Sequence, residues 1–458
     1  MEQITKPHCG ARLDRLPDCR WHSSMFAIVA FGLLVCWSNA VGGLILAQLK
    51  ALGWTDNSTT ATFSAITTAG MFLGALVGGI IGDKTGRRNA FILYEAIHIA
   101  SMVVGAFSPN MDFLIACRFV MGVGLGALLV TLFAGFTEYM PGRNRGTWSS
   151  RVSFIGNWSY PLCSLIAMGL TPLISAEWNW RVQLLIPAIL SLIATALAWR
   201  YFPESPRWLE SRGRYQEAEK VMRSIEEGVI RQTGKPLPPV VIADDGKAPQ
   251  AVPYSALLTG VLLKRVILGS CVLIAMNVVQ YTLINWLPTI FMTQGINLKD
   301  SIVLNTMSMF GAPFGIFIAM LVMDKIPRKT MGVGLLILIA VLGYIYSLQT
   351  SMLLITLIGF FLITFVYMYV CYASAVYVPE IWPTEAKLRG SGLANAVGRI
   401  SGIAAPYAVA VLLSSYGVTG VILLGAVSII VAIAIATIGI ETKGVSVESL
   451  SIDAVANK

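Results

Sequence analysis

Long apolar stretches alternate with short polar turns along almost the whole chain. A helical run of 18 or more apolar residues, at about 1.5 Å per residue, is long enough to cross a hydrocarbon core of about 30 Å. Runs of this kind occur at about 25–47, 62–82, 90–107, 113–137, 152–173, 182–202, 266–291, 302–323, 331–348, 352–378, 391–414 and 418–439. The pattern predicts an all-α polytopic membrane protein with twelve transmembrane helices.

One long polar segment interrupts this alternation and separates six runs from six. Inside it, "RYQEAEKVMRSIEEGVIRQ" has the apolar spacing of an amphipathic helix, and a Pro-rich connector follows. We therefore expect two pseudo-symmetric halves of six helices, an arrangement typical of transporters with a substrate site between the halves. The expected divisions are a tail at 1–24, a first half at 25–202, a linker at 203–264, a second half at 265–440 and a tail at 441–458.

The composition is too apolar for a soluble protein of 458 residues, since 56% are hydrophobic and 12% are charged. The formal charge of +9 comes from 33 Lys and Arg, most of which lie in the tails, the linker and the turns on the same side. Bases gather on the cytoplasmic side of membrane proteins, so both termini and the linker are predicted to be cytoplasmic. The basic balance then reflects topology, and we expect no nucleic-acid partner.

Several functional classes are disfavoured by what the chain lacks. The first 24 residues have no apolar core of their own, so we expect no cleaved signal peptide. The seven cysteines are scattered without metal-ligand spacing, so we expect no disulfide framework, no metal and no cofactor. Only three histidines are present and no nucleophile-to-base spacing is found, which argues against a membrane enzyme.

Two short charged turns repeat at matching places in the two halves. "GDKTGRR" contains Asp83, Lys84, Arg87 and Arg88, and "MDKIPRK" contains Asp324, Lys325, Arg328 and Lys329 in the same order and spacing. An acid and bases at neighbouring helix ends can form ion pairs that stabilise one conformation, whereas isolated bases serve only as orientation signals. Repetition of both the acid and the bases favours the first interpretation.

These turns, with two longer motifs, carry a family resemblance. "PESPRWLESRGRYQEAEKVM" follows the sixth run and "IETKGVSVESL" follows the twelfth. With "GGIIGDKTGRR", they make the chain resemble the major facilitator superfamily over essentially its full length, in the sugar porter and related metabolite (organic acid) transporter branch. The resemblance implies the twelve-helix fold of that superfamily and a metabolite transport protein of the bacterial inner membrane.

The resemblance also implies a cytoplasmic charge network in each half that controls the change between conformations. In the first half the implied members are Asp83, Arg87, Glu138, Arg145, Glu204 and Arg207. In the second half they are Asp324, Arg328, Glu380, Arg389 and Glu441.

Three ionisable residues inside apolar runs of the first half are candidates for proton coupling: Glu95, His98 and Arg118. A charge within a membrane helix costs roughly 2.5–3.5 kcal/mol on insertion scales, so each needs a partner or a function. Two interpretations stay open for Glu95, a structural ion pair with Arg118 and reversible protonation as the site opens to either side. His98 lies on the same helical face as Glu95, and a packing role is its alternative.

The chain departs from proton-coupled sugar porters at positions that the resemblance makes comparable. Ser38 stands where those proteins carry an Asp in the first helix. Ala275, Met276 and Ala375 stand where paired glutamines and a Trp are typical. "INWLPTIF" and "YVPEIWPTEAKLRGSG" are closer to transporters of organic acids, so an organic acid is favoured over a sugar. Symport, antiport and facilitated diffusion all stay open.

Arg399, in "ANAVGRISG", is the leading candidate for binding a carboxylate, because a guanidinium can donate two parallel hydrogen bonds. The alternative is a structural Arg that extends toward the cytoplasmic end of its helix. Amide and aromatic side chains complete the candidate pocket for a small polar ligand. They are Asn39, Asn157, Trp158, Asn277, Gln280, Tyr281, Asn285, Trp286, Tyr369, Tyr372 and Asn395.

The sequence therefore predicts a secondary transporter that moves a small polar metabolite, a carboxylic or sugar acid, by alternating access, with H⁺ as the candidate coupling ion. A sugar or polyol facilitator or symporter is the first alternative. A transporter-like membrane sensor is the alternative from another class. The expected partners are the small-molecule substrate and the lipid bilayer, and we expect a monomer.

Overall fold

The computed structural model describes residues 7–17, 19–140, 145–240, 253–323, 325–383 and 386–442. The first part of the chain comprises α1 (Cys9–Asp14), α2 (Arg20–Val35), α3 (Gly42–Ala51), α4 (Asn57–Thr85), α5 (Arg87–Ala106), α6 (Met111–Tyr139), α7 (Arg145–Asn157), α8 (Ser159–Leu170) and α9 (Ala176–Tyr201). The linker contains α10 (Pro206–Ser211), α11 (Tyr215–Thr233) and α12 (Tyr254–Leu257). The second part comprises α13 (Gly260–Thr293), α14 (Leu298–Met309), α15 (Gly311–Val322), α16 (Arg328–Ser347), α17 (Met352–Val370), a π-helical turn (Cys371–Tyr377), α18 (Val378–Glu380), α19 (Lys387–Val421) and α20 (Gly425–Ile438).

Within the described ranges, nine helices are long and apolar enough to cross a membrane. Three further crossings are interrupted or short: α2 with α3, α7 with α8, and the segment that ends with α20. The twelfth crossing begins after Gly417, whose positive φ of 65° ends the regular part of α19. The all-α fold is confirmed, and these crossings together are consistent with the twelve expected from the apolar runs.

The first crossing is broken, which the apolar run did not indicate. Residues 36–41, between α2 and α3, form turns rather than helix. Ser38 and Asn39 are poor helix formers, and the glycine pair Gly42 and Gly43 follows them. A broken helix leaves backbone carbonyls without their usual partners inside an apolar bundle, so other groups must satisfy them.

Helices α4 and α6 pack backbone against backbone through facing glycines. A Cβ atom on Gly70 or Gly74 would collide with the backbone of α6, and one on Gly122 or Gly126 would collide with the backbone of α4. Small residues allow such close approach between membrane helices. This packing fixes the position of α6, and with it Arg118, at the centre of the first half.

The two halves meet along α4 with α19, α3 with α13, α8 with α14, and α7 with α15, where the rings of Phe154 and Phe317 are 6.2 Å apart. We call the bundle end that bears the charged turns and α11 the charged side, and the other end the opposite side. Two hydrogen bonds join the halves near the opposite side, from Asn57 to Ser414 (3.0 Å) and from Asn305 to Ser164 (3.3 Å). The fully buried Trp286 packs there against Ala61 of α4 and α19. The described contacts therefore close the opposite side.

Candidate functional site

A charge network on the charged side of the first half is built around Arg87. Its guanidinium donates to Asp83 (2.7 Å) and to Glu138 (2.9 Å). The carboxylate of Glu204 accepts hydrogen bonds from the first two backbone N–H groups of α5, at 2.7 and 3.2 Å, where an anion offsets the helix dipole. The hydroxyl of Ser205 donates to Glu138. The network thus joins α4, α5, α6 and the start of the linker.

The second half repeats the other parts of this arrangement, while the counterpart of Asp83, Asp324, lies outside the described residues. Arg328 donates to the two oxygens of Glu380 at 3.0 and 3.2 Å. Glu441 accepts from the first two backbone N–H groups of α16, at 2.8 and 3.1 Å. The hydroxyl of Thr442 donates to Glu380 at 2.6 Å. Each network therefore consists of an Arg, an acid bound to it, a Glu at a helix N-terminus and a neighbouring hydroxyl.

A tyrosine in each half completes the repeat. The hydroxyl of Tyr139 donates to the carbonyl of Pro203 (2.6 Å), and that of Tyr377 to the carbonyl of Ile440 (3.0 Å). Both carbonyls precede the Glu that caps a helix, so each tyrosine holds the capping segment in place. We did not single out the tyrosines or hydroxyls from the sequence. The available signal was the pair Glu-Ser after the sixth run and Glu-Thr after the twelfth.

Two expected network members have other partners, and two have side chains outside the described part of the chain. Arg207 instead binds Asp14 of the N-terminal tail (2.9 Å). The guanidinium of Arg389 lies over the ring of Tyr254, 5.2 Å from its centroid. Asp324 and the side chain of Arg145 lie outside the described residues.

Arg118 lies at the centre of the first half, only 1% exposed. It donates to the backbone carbonyl of Ser38 (2.7 Å) and to the hydroxyl of Thr67 (3.1 Å), and it lies 4.6 Å from the ring centroid of Phe63. The structural ion pair considered between Glu95 and Arg118 does not form, because the break in the first crossing presents a free carbonyl that the guanidinium binds. Arg118 thereby satisfies a backbone group that a continuous helix would have satisfied itself.

Glu95, His98 and Ser38 form a buried polar chain beside Arg118. His98 Nε2 shares a hydrogen bond of 2.7 Å with the Ser38 hydroxyl, and its Nδ1 lies 3.6 Å from Glu95. Both ionisable side chains are fully buried, and neither oxygen of Glu95 accepts a hydrogen bond from the described residues. A buried carboxylate with unpaired oxygens can bind a proton that removes its charge. The geometry thus links Glu95 through His98 to the broken segment of the first crossing.

This broken segment also touches the second half. Gly42 lies between the Arg118 guanidinium and the side chain of Asn285, at 3.0 and 3.6 Å from a Cβ built on it. A Cβ on Gly43 would collide with the carbonyl of Ile284, so only glycine allows this approach. Asn285, expected in the pocket, therefore lies at the contact between the halves.

Arg399 lies in the eleventh crossing and is half-buried. Its Nη1 donates to the hydroxyl of Tyr281 on α13 (3.0 Å), and Tyr281 is 5% exposed. No carboxylate among the described residues lies within ion-pair distance of this guanidinium. The structure therefore joins two of the expected pocket residues and leaves an intramembrane cation without an anionic partner in the part of the chain that it describes.

Other expected pocket residues have different surroundings. Asn157, Asn277 and Asn395 each donate an amide N–H to the carbonyl four residues earlier on the same helix, at 2.8, 2.7 and 2.9 Å.

Asn39 and Gln280 are half-buried, and Trp158 is 37% exposed with its ring near Phe310. Trp286, Tyr369 and Tyr372 are buried in packing contacts, with Tyr372 stacked on Tyr377 at 5.1 Å. Trp286, Tyr369 and Tyr372 therefore pack into the protein interior.

Comparison with known proteins adds independent findings. Residues 26–406 match the family described as the Major Facilitator Superfamily. The "Inner membrane metabolite transport protein YdjE" of Escherichia coli (strain K12) is 44% identical over 440 residues, which cover 95% of this chain and 96% of that protein. The "Niacin transporter NiaP" of Acinetobacter baylyi is 25% identical over 403 residues, which cover 87% and 89%. The inward-open xylose transporter XylE from E. coli shares the fold, with a TM-score of 0.73 at 18% identity over 94% of this chain and 99% of that one.

Proposed function

This chain belongs to the Major Facilitator Superfamily, and from that membership we propose that it carries a small organic acid across the bacterial inner membrane by alternating access. As a member of this family, the chain is a multi-pass membrane transporter and not an enzyme. The observation that carries the proposal is Arg399, a guanidinium inside a crossing with a phenol, but no carboxylate, among its described partners. A substrate carboxylate supplies the missing counter-charge through charge-assisted hydrogen bonds.

The contacts between the halves support alternating access. The hydrogen bonds from Asn57 and Asn305 and the packing of Trp286 all lie toward the opposite side. On the charged side, Asn395 of α19 and Ala375 of the tenth crossing are exposed. We therefore assign this conformation as closed on the opposite side and open toward the charged side. With the bases facing the cytoplasm and both termini on that side, this is the inward-open state.

Proton coupling is proposed at Glu95 and His98. Neither oxygen of Glu95 accepts a hydrogen bond among the described residues, so protonation removes a buried charge and acts on its 3.6 Å contact with His98 Nδ1. The Ser38 hydroxyl connects His98 to the broken segment, which packs against α13. Protonation of Glu95 or His98 can therefore act on the contact between the halves.

A thermal-shift screen of the purified, detergent-solubilised protein tests the substrate class. Organic acids are compared with their neutral counterparts, such as benzoate with benzamide and gluconate with glucose. A ligand that binds only the folded protein raises the unfolding midpoint, by about 2.7 kcal/mol of stabilisation at 100 times its Kd. We expect acids alone to raise the midpoint. Equal shifts from neutral sugars or polyols would instead favour a sugar or polyol transporter, as would be natural for a chain that shares the fold of a xylose transporter.

A further inference from the structure

A polar groove lies on the charged side of the first half, between the linker helix α11 and the ends of two membrane helices. Its walls come from the start of α5, the end of α9 and one face of α11, and its volume is about 700 Å³. We call it the linker groove. Arg88, Tyr201 and Lys220 line it, one from each of these helices. Ligand sites in proteins have volumes of roughly 300–1,000 Å³, so the groove has room for a lipid headgroup.

The linker groove carries positive charge that its own acids do not neutralise. Glu204 is held by the N-terminus of α5, and Glu217 is bound by the guanidinium of Arg214 at 2.6 and 2.7 Å. The exposed Lys220 has no carboxylate within ion-pair distance among the described residues. The side chain of Arg88 donates to one backbone carbonyl, and its Nε has no hydrogen-bond partner in the described part of the chain. Arg88 and Lys220 therefore keep both charge and hydrogen-bond donors for an anion.

The rim of the linker groove is continuous with the lipid-facing surface. Arg88 lies in the first turn of α5 and Tyr201 is the last residue of α9, so both lie where a membrane-spanning helix leaves the hydrocarbon core. Leu93 and Trp199, on the spanning parts of the same two helices, are 44% and 64% exposed. Tyr201 is 59% exposed, and Trp and Tyr are enriched at the boundary between membrane and water. The groove is thus open to headgroups of the surrounding leaflet.

We propose that the linker groove binds the headgroup of an anionic phospholipid, with the phosphate between Arg88 and Lys220 and the acyl chains along α5 and α9. Basic pockets at the ends of membrane helices bind such headgroups, and each Lys or Arg near the surface raises the affinity for anionic lipid roughly fivefold. Arg88 belongs to α5 and Lys220 to α11, so one phosphate joins the linker to the transmembrane bundle. This site lies in the first half, whereas Arg399 belongs to the second, and it does not depend on the substrate proposed above.

The test measures lipid binding to the full-length protein in detergent by native mass spectrometry. Phosphatidylglycerol has a negatively charged headgroup, whereas phosphatidylcholine with the same acyl chains has no net charge. We expect phosphatidylglycerol to bind at least about fivefold more tightly. Lys220→Gln should lower the affinity for phosphatidylglycerol roughly fivefold and leave that for phosphatidylcholine unchanged. Equal affinities of the wild type for the two lipids would overturn the proposal.

Lys264→Gln is the matched control for the loss of one positive charge. Lys264 is an exposed base near the start of α13, on the charged side but outside the linker groove. This variant should bind phosphatidylglycerol as the wild type does. Equal losses of affinity in Lys220→Gln and Lys264→Gln would show a general attraction to a basic surface and would overturn the groove as a site.

Free glycerol phosphate separates a lipid site from a site for soluble phosphates. It carries the same phosphate but has no acyl chains to lie along α5 and α9, so it should not displace phosphatidylglycerol at concentrations comparable with that of the lipid. Displacement at such concentrations in the wild type, but not in Lys220→Gln, would assign the groove to a soluble phosphate compound and overturn the lipid assignment.

Discussion

The two halves are nearly the same on the charged side and quite different in the middle of the bundle. Arg87 with Glu138 and Arg328 with Glu380 have matching geometry, including a capping Glu and a hydroxyl in each half. In the middle, the first half buries the chain from Glu95 to Ser38, whereas the second half presents a half-buried Arg399 beside a phenol. Features that both halves share suit motion, which both must perform. Features found in only one half suit recognition of the substrate and the proton.

Replacement of Arg399 should have the largest effect on this comparison. Arg399→Gln keeps a polar group but removes the positive charge. We expect the affinity for an organic acid to fall by at least about 30-fold, because a substrate carboxylate bound without its counter-charge costs roughly 2–5 kcal/mol. Arg399→Lys restores charge without the paired donors and should bind with intermediate affinity. Equilibrium titration measures both. An unchanged affinity in Arg399→Gln would make Arg399 structural.

Glu95→Gln tests whether the buried polar chain of the first half couples transport to protons. The amide is nearly isosteric but cannot exchange a proton, so uptake driven by a pH gradient into proteoliposomes should fall to passive equilibration. Exchange of labelled for unlabelled substrate, which needs no net proton movement, should continue. Glu177→Gln, an exposed acid at the start of α9, is the control. Loss of both activities would assign Glu95 to packing rather than to coupling.

The repeated networks should respond in parallel. Glu138→Gln and Glu380→Gln each weaken hydrogen bonds between charged groups, which contribute roughly 1.5–3 kcal/mol, so exchange should slow by about tenfold in both. Asp83→Asn should slow exchange less, because the side chain of Asp83 is 64% exposed and its pair with Arg87 is screened by solvent. Exchange rates in proteoliposomes decide the point. A defect confined to one half would contradict a shared role in motion.

The smallest effect is expected at the N-terminal tail, where α1 docks on α11. Arg12 and Arg15 bind Glu226 at 2.7 and 2.6 Å, and the thiol of Cys9 is fully buried. Burial, followed by the neighbouring Glu210, raises the pKa of Cys9 to about 12. Arg12→Ala should leave transport nearly unchanged but increase the rate at which a thiol reagent labels Cys9. Equal labelling rates in wild type and variant would show that the ion pairs do not hold α1.

The same labelling has a defined pH dependence. Burial by itself raises the pKa of Glu226, but hydrogen bonds from Arg12 and Arg15 outweigh it and lower the net pKa. A lowered carboxyl pKa stabilises docking above the undocked value of about 4.3, and this contribution is lost as the pH falls through the docked value. With a disulfide reagent that reacts in acid, Cys9 labelling should therefore be flat near neutral pH and rise only below about pH 4. A rise near neutral pH would implicate another group.

Hydrophobic run length was enough to predict the crossings, because a helix of about 20 apolar residues satisfies its own backbone across the hydrocarbon core. The charged turns repeated between the halves predicted ion pairs at helix ends, and the family resemblance implied the other members of each network. The break at residues 36–41 was not predicted, because Ser38, Asn39 and the following glycines lie inside a run whose mean hydropathy is that of one membrane span. The partner of Arg118 was missed for this reason, since a free carbonyl exists only when the helix is broken.

The most direct test is a single titration of benzoate against wild type, Arg399→Gln and Arg328→Gln in the same detergent. Arg328 belongs to a charge network that both halves contain, whereas Arg399 lies in the middle of the bundle, where the halves differ. The two variants therefore remove the same positive charge from a shared feature and from an unshared one. We predict that Arg328→Gln binds within about twofold of wild type, since distant sites are nearly independent, and that Arg399→Gln loses binding. Loss of binding in Arg328→Gln with retained binding in Arg399→Gln would contradict the division between motion and recognition.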